Sequence, residues 1–403
     1  MAQLDIVNLT GATYAGLEST YGTTPSMTRI FPRRGGTLAA TQTILPLDTE
    51  YEKLVKRDKS LRGYKGGTAS FTCDAWIDAT QLTSAASPAT TWLGTLLKAV
   101  MGGESVFAGS TVTAGSSASS LVAAGGHGTR FPVGQVFLAD VGNVPEVVIS
   151  KAVATDTITP LFNLSGAPTN GQDYINCHCY YLTDTNTQSL TIQHALAQSS
   201  AHQWTLNGCT GGLSIDLSRD ARMSYTFSLT GSTWTGPSDQ SISTAAATNA
   251  LAGPITNNNA VCLLQTLATT TRTHVPFHSL SVTIEPGNTI VQELGGSVQG
   301  AVGVMRTQPT VTAQLTIRTD VAQITGWDSD EDLVLVYAAP SGSGATKRYS
   351  GLVLYCTRED RPQRVDLGDN REGLQITLRG RHNTMQSTAV TDLALSPIVL
   401  FEG

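Results

Sequence analysis

Short runs of alternating apolar and polar residues recur along most of the chain, and turn-forming residues separate them. Residues 67–78, 213–217 and 225–229 are three such runs in the first half, and residues 310–317 form another in the second half. Alternation with a period of two places the apolar side chains on one face of a β-strand. The pattern therefore predicts a mainly β fold in which each sheet buries one face and leaves the other to solvent or to a partner.

One segment departs from the period of two. Residues 91–101 carry apolar side chains at helical spacing and are followed by two glycines. Glycine often ends a helix because it adopts the left-handed conformation without steric cost. We therefore predict one helix in the first half of the chain. Its apolar residues are Trp92, Leu93, Leu96, Leu97 and Val100.

The chain of 403 residues carries little charge for its length. Only 14% of its residues are charged, whereas average proteins are about 25% charged. A large surface with so few charges predicts that copies of the chain cover much of it. The formal net charge of −6 argues against a dedicated nucleic-acid-binding protein, which normally has a basic face, but permits a surface past which DNA slides.

The first residues show no signal-peptide pattern, and the sequence contains no run of about 18 apolar residues. We therefore expect synthesis in the cytosol and no membrane span. Six cysteines are scattered along the chain. In a reducing compartment they are expected to be buried free thiols.

Composition divides the chain into units. Residues 109–128 are rich in glycine, serine, alanine and threonine, and the short alternating runs that follow predict a small, barrel-like β insertion. Residues 236–260 form the clearest break in composition. This break is the best candidate for a boundary between two larger units.

The strand pattern repeats beyond that break. Residues 280–284 and 310–317 follow one another much as residues 213–217 and 225–229 do, which indicates a duplication. The predicted division is 1–104 with 181–240 as the first β unit, 105–180 as the insertion, 241–260 as a linker and 261–403 as the second β unit.

Catalytic and cofactor-binding patterns are absent from the sequence. It has no Gly-x-Ser-x-Gly motif, no Walker A loop, no dinucleotide-binding motif and no His-Glu-x-x-His motif. We therefore expect a protein that is not an enzyme and has no cofactor. The triplet Cys177-His178-Cys179 is the densest group of metal-ligating residue types. A strand places both thiols on one face and the imidazole on the other, which favours core cysteines with an outward histidine over a metal site.

Charge is concentrated in two segments. Residues 53–65 hold six of the 25 basic residues, within a stretch interpreted as a long hairpin or extended loop that projects from the body. We expect this segment to contact an acidic surface of a neighbouring copy, with a solvated loop or a DNA contact as alternatives. Residues 358–381 hold six arginines interleaved with acidic residues, which suits a polar subunit interface, with a solvated hairpin as the alternative. The candidate contact residues are Arg33, Arg34, Lys53, Lys56, Arg57, Lys59, Arg62, Lys65, Arg358, Arg361, Arg364 and Arg371.

The order of these features resembles the tail tube (major tail) proteins of long-tailed, siphovirus-like bacteriophages. The resemblance covers residues 10–103 and 180–235. It rests on the order of short motifs: Glu18, Tyr21-Gly22-Thr23-Thr24-Pro25, the charged loop, the strand ending at Asp78, the helix from Trp92 to Gly102, Gln188-Ser189-Leu190-Thr191-Ile192, Leu206-Asn207-Gly208-Cys209, residues 213–217 and residues 224–231.

The resemblance implies a β-sandwich or barrel flanked by a helix, whose strands join neighbouring copies into rings that stack into a hollow tube for DNA. Two tube-like domains in one chain imply a ring of three copies with pseudo-sixfold symmetry. If residues 261–403 are a decorating domain instead, a hexamer is implied. The implied partners are copies of the chain, tape measure and terminator proteins of the tail, and double-stranded DNA in transient passage.

The implied location is the virion tail, after synthesis in the host bacterial cytoplasm. Two other interpretations remain open at this stage. One is another virion shell component, such as a capsid decoration or tail-tip protein, and the other is a glycan-binding adhesin.

Overall fold

The computed structural model of the protein describes residues 11–33, 36–45, 61–78, 90–183, 188–196, 202–218, 221–239, 251–257, 259–292, 301–318, 332–342, 347–368, 371–382 and 391–403. These residues form two α-helices, α1 (Trp92–Met101) and α2 (Asp392–Leu395), and a short 3₁₀ turn at Gly128–Arg130.

The strands in chain order are β1 (Gly11–Leu17), β2 (Thr28–Ile30), β3 (Thr37–Leu45), β4 (Leu61–Asp74), β5 (Trp76–Asp78), β6 (Gly102–Ser105), β7 (Ser110–Thr111), β8 (Leu121–Val122), β9 (Val136–Val141), β10 (Val144–Ala154), β11 (Thr157–Pro160), β12 (Asp173–Asn176), β13 (His178–Leu182), β14 (Leu190–Leu196), β15 (His202–Ser218), β16 (Ser224–Gly231), β17 (Thr233–Asp239), β18 (Leu251–Pro254), β19 (Val261–Thr266), β20 (Phe277–Glu285), β21 (Asn288–Gln292), β22 (Ala301–Arg306), β23 (Thr310–Arg318), β24 (Leu333–Ser341), β25 (Arg348–Arg358), β26 (Gln363–Asp366), β27 (Glu372–Gly380) and β28 (Ile398–Glu402).

Eight antiparallel strands form the main sheet, in the order β3, β4, β16, β15, β20, β23, β27 and β26. Strands from both halves of the chain therefore share one sheet. A row of buried side chains crosses five of these strands in register: Phe71, Phe227, Leu213, Ile284 and Val311. Each such side chain contributes about 1.5–3 kcal/mol of hydrophobic stabilisation when it is fully buried.

Two further sets of strands cover the apolar face. One set runs β19, β24, β25, β28, β13 and β6, and β25 also pairs with β27 of the main sheet. The other set runs β2, β1, β14, β15 and β17, and so shares β15 with the main sheet. A single hydrophobic core contains residues from all these sets and from α1. The result is a mainly β fold of curled, packed sheets, as predicted.

The long strand β15 can belong to two sheets because it bends at Gly208. The sequence predicts two strands here, at 203–206 and 213–217, whereas the structure has one strand of 17 residues. Gly208 has a φ of 65°, a left-handed conformation that glycine adopts without strain. A Cβ atom at this position would lie 2.2 Å from the Ser232 Oγ. The glycine therefore provides both the bend and the space for a close contact.

The predicted helix is confirmed as α1. The Thr91 Oγ1 accepts a hydrogen bond from the Gly94 N at 2.8 Å and caps the first turn, and Gly102 ends the helix with a φ of 88°. The structure adds α2, which the sequence analysis does not predict. A helix of four residues is too short to show a 3.6-residue period.

The strands predicted in the insertion form a small barrel. Their order is β7, β12, β9, β10, β11 and β8, and a bridge between Val112 and Ala123 joins the two outer strands. Phe131, Phe137 and Tyr174 pack edge to face in its core, with ring centroids 4.8–5.9 Å apart. Closure removes exposed edges, which small all-β units otherwise have to protect.

Arg272 ties this barrel to the second half of the chain. Its guanidinium contacts the Glu146 carboxylate at 2.9 Å and donates to the carbonyl oxygens of Asn163 and Val147, each at 2.9 Å. The hydroxyl of Tyr349 donates to the Pro145 carbonyl at 3.1 Å. The barrel is therefore fixed to the body by several polar contacts.

Glu402 lies in β28, opposite Ser350 on one neighbouring strand and His178 on the other. The Thr91 hydroxyl donates a hydrogen bond to one carboxyl oxygen at 3.1 Å, and the other oxygen has no hydrogen-bond partner within the described part of the chain. Burial raises the pKa of Glu402 to about 8, and the Thr91 hydrogen bond offsets this only in part. The carboxyl group is therefore mostly protonated at neutral pH.

The raised pKa of Glu402 predicts that stability falls as the pH rises from about 4.5 to about 8. Over this range the unfolded chain has lost the proton, whereas the folded protein retains it, so folding takes up a proton. Glu402→Gln keeps an acceptor for Thr91 and removes the titration, so the pH dependence of its melting temperature is expected to be flatter. Parallel melting profiles of the two proteins between pH 5 and 8.5 would contradict this account.

Candidate assembly surfaces

Glu18 is buried directly after β1, and its carboxylate accepts hydrogen bonds from four donors. The donors are the Gly22 N at 2.7 Å, the Thr191 Oγ1 at 2.6 Å, the Gly208 N at 2.8 Å and the Ser189 hydroxyl. A buried carboxylate is tolerated only when its oxygens are paired. Glu18 therefore fixes the turn after β1 to β14 and to the bend in β15.

Residues 16 and 17 complete β1 and Glu18 is buried, although the glycine-, serine- and threonine-rich sequence of residues 16–25 suggests a turn-rich arm without a core element. Asn207 adds to the same contact, since its Nδ2 donates to the Gly22 carbonyl at 3.2 Å and to the Thr24 Oγ1 at 2.9 Å. Four of the short motifs that carry the family resemblance thus meet at one place in the fold: Glu18, residues 21–25, residues 188–192 and residues 206–209. Their order was visible in the sequence, but the role of the Glu18 carboxylate in joining them was not.

The start of β4 and the start of β27 lie at opposite ends of the main sheet. Strands β4, β15 and β23 run in one direction, while β16, β20 and β27 run in the other. The basic segment joins the described part of the sheet at Leu61, where β4 begins, and residues 367 and 368 precede β27. These two beginnings are at opposite ends because the two strands are antiparallel.

The hairpin arms predicted on either side of the basic segment are present as β3 and β4. Pairing between β4 and β16 covers Gly67–Asp74, whereas pairing with β3 extends to Leu61, so the arms continue past β16. Lys65 is half-buried in β4. Arg62 also lies in β4, but its side chain is outside the described part, as are Arg34, Lys53, Lys56, Arg57 and Lys59.

Arg33 is not with the other basic candidates. Its guanidinium contacts the Asp74 carboxylate, which also accepts from the Arg222 Nη1 at 3.2 Å. Asp74 ends β4, so this group of charges lies at the opposite end of the strand from Leu61 and Lys65. The two arginines satisfy a carboxylate that is itself buried.

The mixed-charge segment runs from the end of β25 through β26 to the end of β27, and most of its charged side chains are exposed. Arg364 is 81% exposed and lies 4.0 Å from the Glu372 carboxylate. Arg379 lies 3.7 Å from the Glu359 carboxylate. Such exposed pairs contribute about 0–1 kcal/mol to stability. Exchanging them for contacts with another molecule would therefore cost the fold little. Arg361 and Arg371 are also exposed, and Arg358 is half-buried at the end of β25.

The end strands of the main sheet differ in charge. Among the described strands, β3 pairs with β4 alone and β26 with β27 alone. The nine residues of β3 include no charged residue, and residues 37–42 are exposed or half-exposed. Soluble proteins usually protect an edge strand with charge, proline or short length. Strand β3 has none of these protections, because it is nine residues long and contains no charged residue and no proline. Strand β26, in contrast, is short and charged.

The outward histidine predicted at position 178 is wrong. His178 is buried, its Nε2 contacts the Glu104 Oε1 at 2.6 Å, and its ring stacks on Tyr180 with centroids 4.5 Å apart. Burial alone would raise the pKa of Glu104, but hydrogen bonds from His178 and Lys98 outweigh it and lower that pKa to about 2. The carboxylate of Glu104 on β6 pairs with the imidazole and so allows it to be buried. The sequence pattern did not indicate that these two residues would meet.

The six cysteines are buried free thiols, as predicted. Cys177 and Cys179 point into an apolar cluster with Val136 and Phe401, away from the imidazole of His178. Burial raises the pKa of both thiols, of Cys179 to about 12. Within the described ranges, no three histidine, cysteine or acidic side chains converge in a group that would hold a metal ion.

Comparison with protein families decides between the interpretations that the sequence left open. The family model described as phage tail tube protein matches residues 9–379. The chain belongs to the phage tail tube protein family. This tail tube protein is therefore a structural protein of the virion tail, and family membership implies self-assembly into a tube with other tail proteins. A search of curated proteins finds no significant match.

The match extends over strands of both halves and over the insertion, so the tail tube family accounts for the main sheet as a whole. Neither described helix is long and apolar enough to cross a membrane. Among the described residues of this tail tube protein, the candidates for assembly contacts are the two end strands of the main sheet and the mixed-charge segment around β26 and β27.

Glu18→Ala is expected to destabilise the tail tube protein by about 3–5 kcal/mol, because it leaves buried donors without their acceptor. Urea unfolding would measure the loss. Hydrogen exchange at the amides of Gly22 and Gly208 is expected to increase most, since both donate to the carboxylate. Glu285→Ala, at the exposed end of β20, is the matched control and is expected to have little effect. Equal stability of the two variants would contradict the anchoring role.

Proposed function

We propose that this protein assembles into stacked rings that form the hollow tail tube through which DNA is delivered to the host. The observation that carries the proposal is the main sheet of eight strands, which has an unpaired edge at each end among the described strands. An uncharged edge such as that of β3 suits backbone pairing with a neighbouring copy. A head-to-tail contact of this kind closes into a ring when its rotation divides a full turn.

A ring of three chains with pseudo-sixfold symmetry fits this sheet better than a hexamer with a decorating domain. Strands β20, β23 and β27 of the second half continue the sheet of the first half and share its row of buried side chains. A decorating domain would have its own sheet. The insertion fits that description, whereas residues 261–403 do not.

Strand direction supports a specific repeat within the chain. Rotation about a tube axis preserves strand direction, so equivalent strands of two units must run the same way. The pattern seen in the sequence relates β15 to β20, which are antiparallel. Strands β20 and β23 instead run in the same directions as β3 and β4, and both pairs are joined by long segments, at 286–309 and 46–60. We take β3–β4 and β20–β23 as the first two strands of the two units.

The acidic balance of the chain suits passage of DNA. A formal net charge of −6 provides no general attraction for phosphates, so DNA passes without the counterion-release binding that a basic wall would produce. In this proposal the tube also contacts tape measure and terminator proteins, and the chain is synthesised in the host cytoplasm before it enters the tail.

Purified protein is expected to form hollow tubes or rings of uniform bore in negative-stain electron micrographs. Native mass spectrometry of the rings is expected to give three copies of the 42.4 kDa chain. Six copies would support the hexameric arrangement. A protein that stays monomeric over a wide concentration range would contradict tube assembly.

The basic segment is proposed to contact the next ring. Reversing the charges of Lys56, Arg57 and Lys59 is expected to leave the subunit folded, because the segment follows strand arms that continue beyond β16, and to impair the stacking of rings. Far-ultraviolet circular dichroism checks the fold, and tube length in micrographs measures stacking. Tubes of normal length from this variant would remove the segment from the stacking contact.

A further inference from the structure

Five buried polar atoms near the end of β28 have no hydrogen-bond partner within the described part of the chain. They are the Glu402 Oε1, the Ser350 Oγ, the His178 Nδ1, the Tyr180 Oη and the Tyr225 Oη. All five residues are at most 5% exposed. Buried polar groups are nearly always paired with another protein group or with ordered water. Five unpaired atoms at one place, here called the Glu402 cluster, therefore point to a ligand that pairs with them.

Strand pairing brings three of these side chains together. Glu402 of β28 lies opposite Ser350 of β25 on one side and opposite His178 of β13 on the other. Directly opposed residues of antiparallel strands project from the same face of a sheet and lie close together. Leu400, two residues before Glu402, belongs to the main hydrophobic core, so this face is the one that covers that core. The three side chains therefore meet inside the protein.

Tyr180 joins the group through the imidazole and the beginning of α1. Its ring stacks on that of His178 with centroids 4.5 Å apart. Its hydroxyl lies against the first turn of the helix, where a Cβ atom at Gly94 would overlap the Tyr180 Oη and would lie 3.2 Å from the Thr91 Oγ1. The same Thr91 hydroxyl donates to Glu402. The Tyr180 hydroxyl and the Glu402 carboxyl group are therefore neighbours of one side chain.

Tyr225 of β16 completes the Glu402 cluster from the opposite layer. Burial raises the pKa of its phenol, the Glu402 carboxyl group raises this pKa further, and the Ser350 hydroxyl opposes the rise. Charge and hydrogen-bond effects on a pKa require the groups to be close. The Glu402 cluster thus lies between the main sheet and the strands that cover it. Five elements contribute to it or border it: α1, β13, β16, β25 and β28.

The donors and acceptors of the Glu402 cluster match those of water. The His178 Nε2 contacts the Glu104 carboxylate at 2.6 Å. Because a carboxylate only accepts, Nε2 donates there, and in the neutral imidazole Nδ1 is then an acceptor. The three hydroxyl groups and the protonated Glu402 carboxyl group can each donate and accept. A buried water molecule typically makes about three hydrogen bonds to such groups. Na⁺ or K⁺ suits the site less well, because hard cations prefer charged or carbonyl oxygen ligands.

We propose that the Glu402 cluster is a binding site for ordered water, which bridges the Glu402 carboxyl group to the four other polar atoms. Water-mediated hydrogen bonds are nearly as favourable as direct ones and connect groups that do not touch. The bound water joins the beginning of α1 to β28, and β28 pairs with β13 of the first half and with β25 of the second. It is therefore a structural ligand that connects the two halves inside the core. All five residues are buried within one chain, so the site does not depend on tube assembly.

Tyr225→Phe tests the site, because it removes one hydroxyl group and keeps the ring. Loss of a hydroxyl group that is bound to water is expected to increase the equilibrium constant for unfolding by about two- to tenfold in urea titrations. Loss of a hydroxyl group without a partner would decrease this constant, since an unpaired buried hydroxyl destabilises the folded state.

Tyr349→Phe is the matched control for a paired hydroxyl, which here donates to the Pro145 carbonyl at 3.1 Å. It is expected to increase the unfolding constant as well. Ser350→Ala repeats the test at a second atom of the Glu402 cluster and is expected to act in the same direction. Greater stability of Tyr225→Phe and Ser350→Ala than of the wild-type protein would overturn the proposal.

A crystal structure of the full chain at a resolution that shows ordered water identifies the ligand. Water is expected within about 2.5–3.2 Å of at least two of the five atoms. Direct hydrogen bonds among these atoms, with no water between them, would overturn the proposal. The melting temperature is expected to be the same in Na⁺, K⁺ and choline salts at constant ionic strength. A higher melting temperature in Na⁺ or K⁺ than in choline, lost in Glu402→Gln, would assign an alkali cation to the site instead of water.

Discussion

The antiparallel ladder between β15 and β20 is the contact on which the arrangement of the chain depends. Its pairs run from Leu213 and Ile284 to Ser218 and Ser279, and the central pair of Ile215 and Val282 is fully buried. A shift of one residue would turn every side chain of one strand to the opposite face. Alternate burial on both strands prevents such a shift, so the two halves hold one register and one continuous apolar face.

Three of the buried or part-buried carboxylates in the described part of the fold are accommodated in different ways. Glu18 is matched by four hydrogen-bond donors, and Glu104 by the side chains of His178 and Lys98. Glu402 has one donor, and burial keeps it protonated at neutral pH. The first two join segments that are far apart in the chain. Polar contacts thus position the first turn and the β6–β13 pair within a core that is otherwise apolar.

Local pattern predicted much of the secondary structure. The period of two identified strands such as β16 and β23, and helical spacing with a terminal glycine identified α1. Both signals depend only on neighbouring residues. The continuous strand β15 was missed because Asn207 and Gly208 resemble a turn, although the glycine serves there as a bend within a strand.

Contacts between distant segments could not be predicted in the same way. Nothing next to Glu18 in the sequence indicates donors at Thr191 and Gly208, and nothing next to His178 indicates Glu104. The hydrogen bonds from Arg306 to the carbonyl oxygens of Val100 and Met101 at the end of α1 are hidden for the same reason, since some 200 residues separate the partners. Family resemblance found the segments that meet around Glu18, but only the fold shows the chemistry that holds them together.

The uncharged edge of β3 has a consequence for how a tube would respond to salt. Backbone pairing along such an edge depends on N–H and C=O groups and not on ionised side chains of β3, so dissolved ions screen it little. Contacts through charged segments at the ends of the sheet weaken as the Debye length shrinks from about 10 Å at 0.1 M salt to about 3 Å at 1 M. In the proposed tube of stacked rings, the contacts between rings would therefore weaken with rising ionic strength before the contacts within a ring, and concentrated salt would release intact rings rather than single subunits.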